Sequence, residues 1–388
     1  MTEKQSALLK SAEMRADELF AVACDIYDRP ELGREEVFAS GKLTEYLERQ
    51  GFAVERGVGG IETSYRAVWE RGSGGPTIGF MMEYDALPGL GHACGHHLQA
   101  PVCIGAALAL RDVCEKDFRL VLYGTPDEEG EGGKIDMLAN GCFRDVDVML
   151  CYHTGRRTFA SCMNKAVAPL IVTYHGTPAH ASGSPHLGRS ALDALMLAFH
   201  GLEILREHVP DGCRIHYSIL EGTGAANIVP PIAKAKILLR SGDGKYIDEL
   251  AARAEKVLRG AADMTETTVE IEHKNVYRNY VPIPSLRKTA LDFAEAVGAE
   301  DIDRSDIQGN GSTDIGNVSW VVPAMNFNTF FVDAASHSEE NLRTGKTPQA
   351  RTAMLFGSKI LGCTAMELIE NAALLSRIKE EHTKAVNG

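Results

Sequence analysis

Apolar positions recur at helical spacing over residues 7–27 and again from Phe38 to Gln50, where Gly51 closes the run, so the chain opens with helices. Short apolar runs of strand type then alternate with helical ones. Thr77 to Met82, Arg119 to Tyr123, Val146 to Tyr152 and Val321 to Val332 read as strands, and Ala100 to Leu110 as a buried helix. That alternation predicts an α/β sheet with helices on both faces. From about Ala166 the order changes: strand-type runs at Pro169 to Tyr174, Arg214 to Leu220, Ala233 to Leu239 and Thr268 to His273 enclose helical runs at Ser190 to Glu207 and Ile247 to Leu258. This strand-helix-strand-strand-helix-strand order is that of a split βαβ unit. After Val281-Pro282-Ile283-Pro284 the α/β pattern returns. The expected organisation is a discontinuous α/β domain, residues 1–166 and 281–388, interrupted by a small α+β domain, residues 167–280.

Ionisable residues follow the strands. Thr77–Met82 runs into Glu83-Tyr84-Asp85 and then into Gly91-His92-Ala93-Cys94-Gly95-His96-His97, Arg119–Tyr123 into Gly124-Thr125-Pro126-Asp127-Glu128-Glu129-Gly130, and Val146–Tyr152 into His153. The C-terminal ends of strands are where open α/β sheets bind ligands. Cys94 and His96 flank Gly95, which relaxes the backbone so that both side chains can face one cation; Asp85, His92, His97 and His153 are further candidate ligands. Glu128 and Glu129 are neighbours in a turn and point in different directions, so one can bind a cation while the other faces a substrate as a base. Alone, the pair reads as a solvated acidic patch, because Asp127 and Glu131 flank it. A cation would instead stabilise the clustered carboxylates.

Composition narrows the partners. The 388 residues carry 40 Lys+Arg against 53 Asp+Glu, a net charge of −13 without a basic block, which repels phosphate backbones and anionic membranes. No apolar core of a secretory signal follows Met1-Thr2-Glu3-Lys4-Gln5, and no run of about 20 apolar residues stands out as a membrane span. The 9 cysteines are odd in number and several lie in apolar runs, as reduced thiols do. A soluble cytoplasmic protein acting on a small molecule is expected, with neither nucleic acid nor membrane as partner.

Met82-Glu83-Tyr84-Asp85-Ala86-Leu87-Pro88, Gly91-His92-Ala93-Cys94-Gly95-His96, Gly124-Thr125-Pro126-Asp127-Glu128-Glu129-Gly130, His175-Gly176-Thr177-Pro178-Ala179-His180-Ala181 and Gly311-Ser312-Thr313-Asp314-Ile315-Gly316-Asn317 together resemble the dinuclear metallohydrolase family of aminoacylase, glutamate carboxypeptidase and the indoleacetyl-amino-acid hydrolases. The nearest branch is that of aminobenzoyl-glutamate hydrolase. The resemblance covers almost the whole chain. It implies a phosphorylase/hydrolase-like α/β catalytic domain with an inserted ferredoxin-like lid, and a homodimer or larger homo-oligomer formed through that lid. It also implies Cys94, His96, Glu129, His153 and His337 as ligands of divalent metal, two ions per chain, with manganese slightly favoured over zinc. Glu128 matches the general base, Asp85 the carboxylate that orients a ligand, His180 the histidine offered to a developing oxyanion, often in the partner subunit's site, and Asn227 and Arg240 positions that hold substrate. His337 is visible only through the resemblance; otherwise it reads as a surface-loop histidine.

The chain departs from the family's usual residues at His97, Asp127, Thr154, the Ser241-Gly242-Asp243-Gly244 stretch after Arg240, and Met325-Asn326-Phe327-Asn328. The expected reaction is metal-dependent hydrolysis of the amide of an N-acyl or aminobenzoyl amino acid. The alternative at the same metal site is hydrolytic removal of an amino group from an aromatic ring, of the aminobenzoate or nitroanthranilate type. Two further classes are catalysis by Cys94 as nucleophile and a binding protein with a closed metal site.

Overall fold

In the computed structural model, which describes residues 1–161, 163–222, 224–306 and 311–388, Thr2 and Gln5 form a reciprocal capping box that starts α1 (Glu3–Met14). The chain passes through Arg15 into α2 (Ala16–Tyr27), so the helical stretch expected over 7–27 is two helices; α3 (Val37–Arg49) ends just before Gly51, whose φ is +85°. Next come β1 (Ala53–Arg56), β2 (Tyr65–Arg71), β3 (Thr77–Met82), α4 (Gln99–Val113), β4 (Phe118–Gly124), α5 (Gly133–Ala139), β5 (Val148–Gly155) and β6 (Phe159–Ala160). The middle of the chain forms β7 (Ala166–His175), α6 (Ala191–Arg206), β8 (Arg214–Glu221), β9 (Ile232–Ser241), α7 (Tyr246–Thr265) and β10 (Thr268–His273). The remainder is α8 (Pro284–Ala296), α9 (Ile315–Ser319), β11 (Ala324–Phe330), α10 (Glu339–Thr344), α11 (Pro348–Glu370) and α12 (Ala372–Asn387).

The chain divides into two compact units, one built from Met1–Met163 and most of the chain from Tyr280 onward, the other from Asn164–Asn279 together with Gly311 and Ser312. In the first, the strands run β1-β2-β4-β3-β5-β11-β6; β4, β3, β5 and β11 are mutually parallel, and the outer strands add antiparallel. Both faces of the parallel strands are apolar because both are covered. Ile78, Phe80, Leu120, Leu122, Val148, Leu150 and Tyr152 face the main core with α4 and α11, while Met81, Val121, Tyr123, Met149 and Cys151 join the opposite core of α5 and α9.

Three expectations shift. The Val321–Val332 run is a strand only over Ala324–Phe330; Val322, just before it, is buried with Val318 of α9, and an apolar run alone does not separate strand from helix. His153 lies within β5 rather than beyond it. Helix α11 is long and apolar enough to cross a membrane, contrary to the sequence reading, and 72% of its most apolar window is buried in the protein.

The second unit is an antiparallel sheet ordered β10-β7-β9-β8. Counting its strands along the chain, that order is four-one-three-two, which is the split βαβ topology. Alternate residues such as Leu170, Val172, Ala235 and Ile237 share one core with Leu195, Leu202, Leu250 and Leu258 of α6 and α7. Strands β8 and β10 are the two edges, and Ile215 is the only buried residue of β8.

Candidate metal centre

At the C-terminal ends of the parallel strands the first unit gathers the side chains expected from the motifs. Ligand atoms of Cys94, His96 and His153 lie within 4.8 Å of one another, as do those of Cys94, Glu129 and His337 and those of Glu83, His96 and Glu128. Cys94 Sγ is 3.4 Å from His153 Nε2, and His337 Nε2 is 3.1 Å from Glu129 Oε1. The loop that delivers Cys94 and His96 turns at Gly95, whose φ is +87°; a Cβ there would strike the Thr154 side chain. The Thr154 hydroxyl donates to the Cys94 carbonyl at 3.1 Å, a role for one residue that departs from the family pattern.

Asp85 orients two of these groups. Its Oδ1 is 2.9 Å from His96 Nδ1, and its Oδ2 accepts the Glu129 backbone N–H at 2.9 Å. The acceptor at Nδ1 places the imidazole proton there and leaves Nε2 as a lone-pair donor. His96 Nε2 and Glu129 Oε1 are buried and lack a hydrogen bond of acceptable geometry. Leaving such atoms unsatisfied costs about 1–3 kcal/mol each. Thiol, imidazole and carboxylate donors converging with orphaned lone pairs are the donor set of a divalent cation, so the residues present fit one.

Electrostatics separates the two adjacent glutamates. Burial, reinforced by the charges of Glu83 and Asp314, holds the Glu128 carboxyl well above its usual range. Burial also opposes the charge of Glu129, but the His337 imidazole 3.1 Å away and the nearby His96 outweigh it and bring Glu129 down to about 2. The two neighbouring carboxyls are thus shifted in opposite directions.

Sequence reasoning missed an ionic cluster behind the site. Lys134 Nζ lies 2.6 Å from Glu83 Oε1 and donates to Asp314 Oδ1 at 2.7 Å, while its backbone N–H donates to Asp314 Oδ2 at 2.9 Å. Gln99 Nε2 donates to Glu83 Oε2 at 2.6 Å, and all four residues are buried. Glu83 and Asp314 stand inside the quoted motifs, but no spacing in the sequence links either of them to Lys134. Conversely, His92 and His97, read as candidate ligands, fall outside every cation-binding group among the described residues. His97 is buried with Nε2 2.9 Å from the Gly345 carbonyl, and its ring packs on Tyr27 at 5.0 Å.

The remaining site candidates lie in the second unit. His180 Nδ1 accepts the backbone N–H groups of Ser182 and Gly183 at 3.3 and 3.0 Å, which leaves Nε2 as the N–H donor. Ala181 N–H donates to the Asn227 carbonyl at 2.9 Å, so His180 and Asn227 lie side by side just before β9 begins. Arg240 is at the other end of β9 and donates to Ser312 Oγ at 3.1 Å. Within this unit Arg240 does not join the other two.

The chain belongs to the peptidase family M20/M25/M40, whose pattern matches residues 79–356. It is a metal-dependent hydrolase acting on carbon–nitrogen bonds. It is 35% identical to a Mus musculus protein named Xaa-Arg dipeptidase, over 94% of this chain and 89% of that one. It is 30% identical to one of the proteins that make up the p-aminobenzoyl-glutamate hydrolase of Escherichia coli, over 94% of this chain and 92% of that one. A solved Bacillus subtilis structure described as a dinuclear metal binding peptidase from the M20 family shares the fold, with a TM-score of 0.71 at 17% identity over 92% of this chain and 99% of that one.

Proposed function

We propose that the chain hydrolyses the amide joining an acyl or aminobenzoyl group to an amino acid, with Glu128 as general base. The observation that carries this reading is the half-buried Glu128 carboxyl adjoining a convergent set of cation donors in which lone pairs are left over. Cys94, His96, Glu129, His153 and His337 would hold two divalent ions, manganese ahead of zinc; when bound, these supply Lewis acidity that activates water near neutral pH and polarises a carbonyl. Glu128 takes a proton from the attacking water and returns it to the leaving amine. Asp85 fixes the His96 ring and the Glu129 backbone. By the family resemblance His180 would offer its Nε2–H to a developing oxyanion, often in the partner subunit's site, and Asn227 beside it and Arg240 at the far end of β9 would hold substrate, Arg240 through a fork suited to a carboxylate; because the two ends of β9 lie apart, they are not assigned to one substrate molecule within one chain.

Metal removal tests the reading. Protein purified without added metal is expected to carry close to two divalent ions per chain by elemental mass spectrometry, lost together with activity on chelation. Folded protein near zero, with no activity recovered by manganese, zinc or cobalt, would overturn it. The substrate panel should hold aminobenzoyl-glutamate, N-acyl amino acids and dipeptides ending in arginine, the last prompted by the name of the mouse relative. Aminobenzoates belong in it as well, since ammonia release without amide cleavage would favour the aryl-amine reading.

The second unit is proposed to be a lid that pairs two chains along β8, where Tyr217, Ile219 and Leu220 are exposed. Light scattering is expected to give the mass of a dimer or larger assembly, reduced by Leu220→Lys; a monomeric wild type would rule this out. A cytoplasmic location is proposed from the cysteines, all of which are free among the described residues; Cys162 lies outside them.

A further inference from the structure

Asp127 stands between the end of β4 and the Glu128-Glu129 pair with φ +63°, a left-handed conformation uncommon for a residue with a side chain. Such a conformation persists where its surroundings over-determine it. Here they do. The Asp127 N–H donates to Glu36 Oε1 at 2.9 Å, and Glu36 Oε2 accepts the Thr63 hydroxyl at 2.8 Å, with Glu36 wholly buried. The Asp127 carboxylate accepts Arg34 Nε at 2.7 Å and the Glu131 N–H at 3.3 Å, and its carbonyl accepts the N–H groups of Gly132 and Gly133 at 3.1 and 3.0 Å. Two glycines make room for it: a Cβ on Gly33 or on Gly130 would overlap Asp127 Oδ1. Arg34 Nη2 also reaches Asp136 at 2.5 Å. The same segment braces the loop after β3, since the Glu31 carbonyl accepts the Ala86 N–H at 2.8 Å, one residue beyond Asp85.

We propose that Arg34 and Glu36 are positioning residues: acting through Asp127, they set the directions in which Glu128 and Glu129 leave the β4 turn. Turning the 127 peptide out of the left-handed region would redirect both glutamates together, because they follow it directly in the chain. The roles of those glutamates rest on the proposed hydrolase reading, whereas the clamping of the turn does not.

The test uses full-length Glu36→Ala, Glu36→Gln and Arg34→Met. Two measurements are made: amide hydrogen exchange over residues 125–133, and titration of the chelated protein with Co²⁺ followed by visible absorption. Glu36→Ala and Arg34→Met should raise local exchange about tenfold, the loss of one hydrogen bond, and weaken cobalt binding about tenfold. Glu36→Gln should restore both, because its amide oxygen still accepts the Asp127 N–H while its NH₂ faces Thr63. Unchanged exchange in the variants, or a rise spread over the whole sheet, would overturn the proposal. Arg34 is partly exposed, so its variant keeps the test open should Glu36→Ala fail to fold. Wild-type protein that takes up no cobalt would instead refute the metal-centre reading, while the exchange experiment still decides the clamp.

Discussion

Glu128→Gln is expected to lower kcat by about 10²–10⁴-fold, the range for loss of a general base, while metal content and melting temperature stay at wild-type values. Glutamine keeps the shape of the side chain and cannot accept a proton. The surroundings suit this role: burial and the charges of Glu83 and Asp314 raise the affinity of the carboxyl for a proton, and a cation held by Cys94, His96 and Glu129 would oppose them. The same carboxyl can therefore both receive a proton and release it. Kinetics on whichever amide the wild type cleaves, read beside elemental analysis of the variant, provide the check. Wild-type turnover would remove Glu128 from the role of base, and loss of metal would mean that it serves as a ligand.

Lys134→Met is expected to destabilise the protein by about 3–5 kcal/mol, the usual consequence of removing one partner from a buried ionic cluster. Two carboxylates, Glu83 and Asp314, would remain in the interior with their shared ammonium gone. Methionine fills similar volume, so the effect reports charge rather than a cavity. Urea denaturation measures it directly. Adding Asp314→Asn should recover part of the loss, because one of the stranded charges is then removed. A Lys134→Met protein as stable as wild type would show that the carboxylates are neutral in the fold.

What the sequence disclosed follows from the range over which each signal acts. Period-two and apolar-run patterns are local, so β3 and β10 were readable to the residue, as was the loop holding Cys94, Gly95 and His96. Strands β1 and β2 were not expected: β1 is mostly exposed and β2 only partly buried, which leaves little apolar pattern to read. Lys134 lay beyond reach for a different reason. Its partners are 51 residues before it and 180 after; the packing of α5 against α9 brings Asp314 to it, and the end of β3 brings Glu83. His337 needed the family resemblance, since it comes after β11 in an exposed loop and its backbone is tied to Ala93 by one hydrogen bond of 3.3 Å. Asp127 was noted as a departure and read as part of an acidic patch; its left-handed backbone and its contact with Glu36 are tertiary facts.

The position of β11 also governs the order of assembly. In the sheet it lies between β5 and β6, yet in the chain it follows both by more than 160 residues. While the chain is being synthesised, β5 therefore has an open edge, and β6 has no strand to pair with until β11 emerges. Such long-range pairing slows folding, and an uncovered strand edge invites pairing with other chains. His337 emerges later still. On the ribosome the nascent sheet thus passes through a stage in which Cys94, His96, Glu129 and His153 are present without His337, so completion of the proposed metal centre waits for the segment that follows β11.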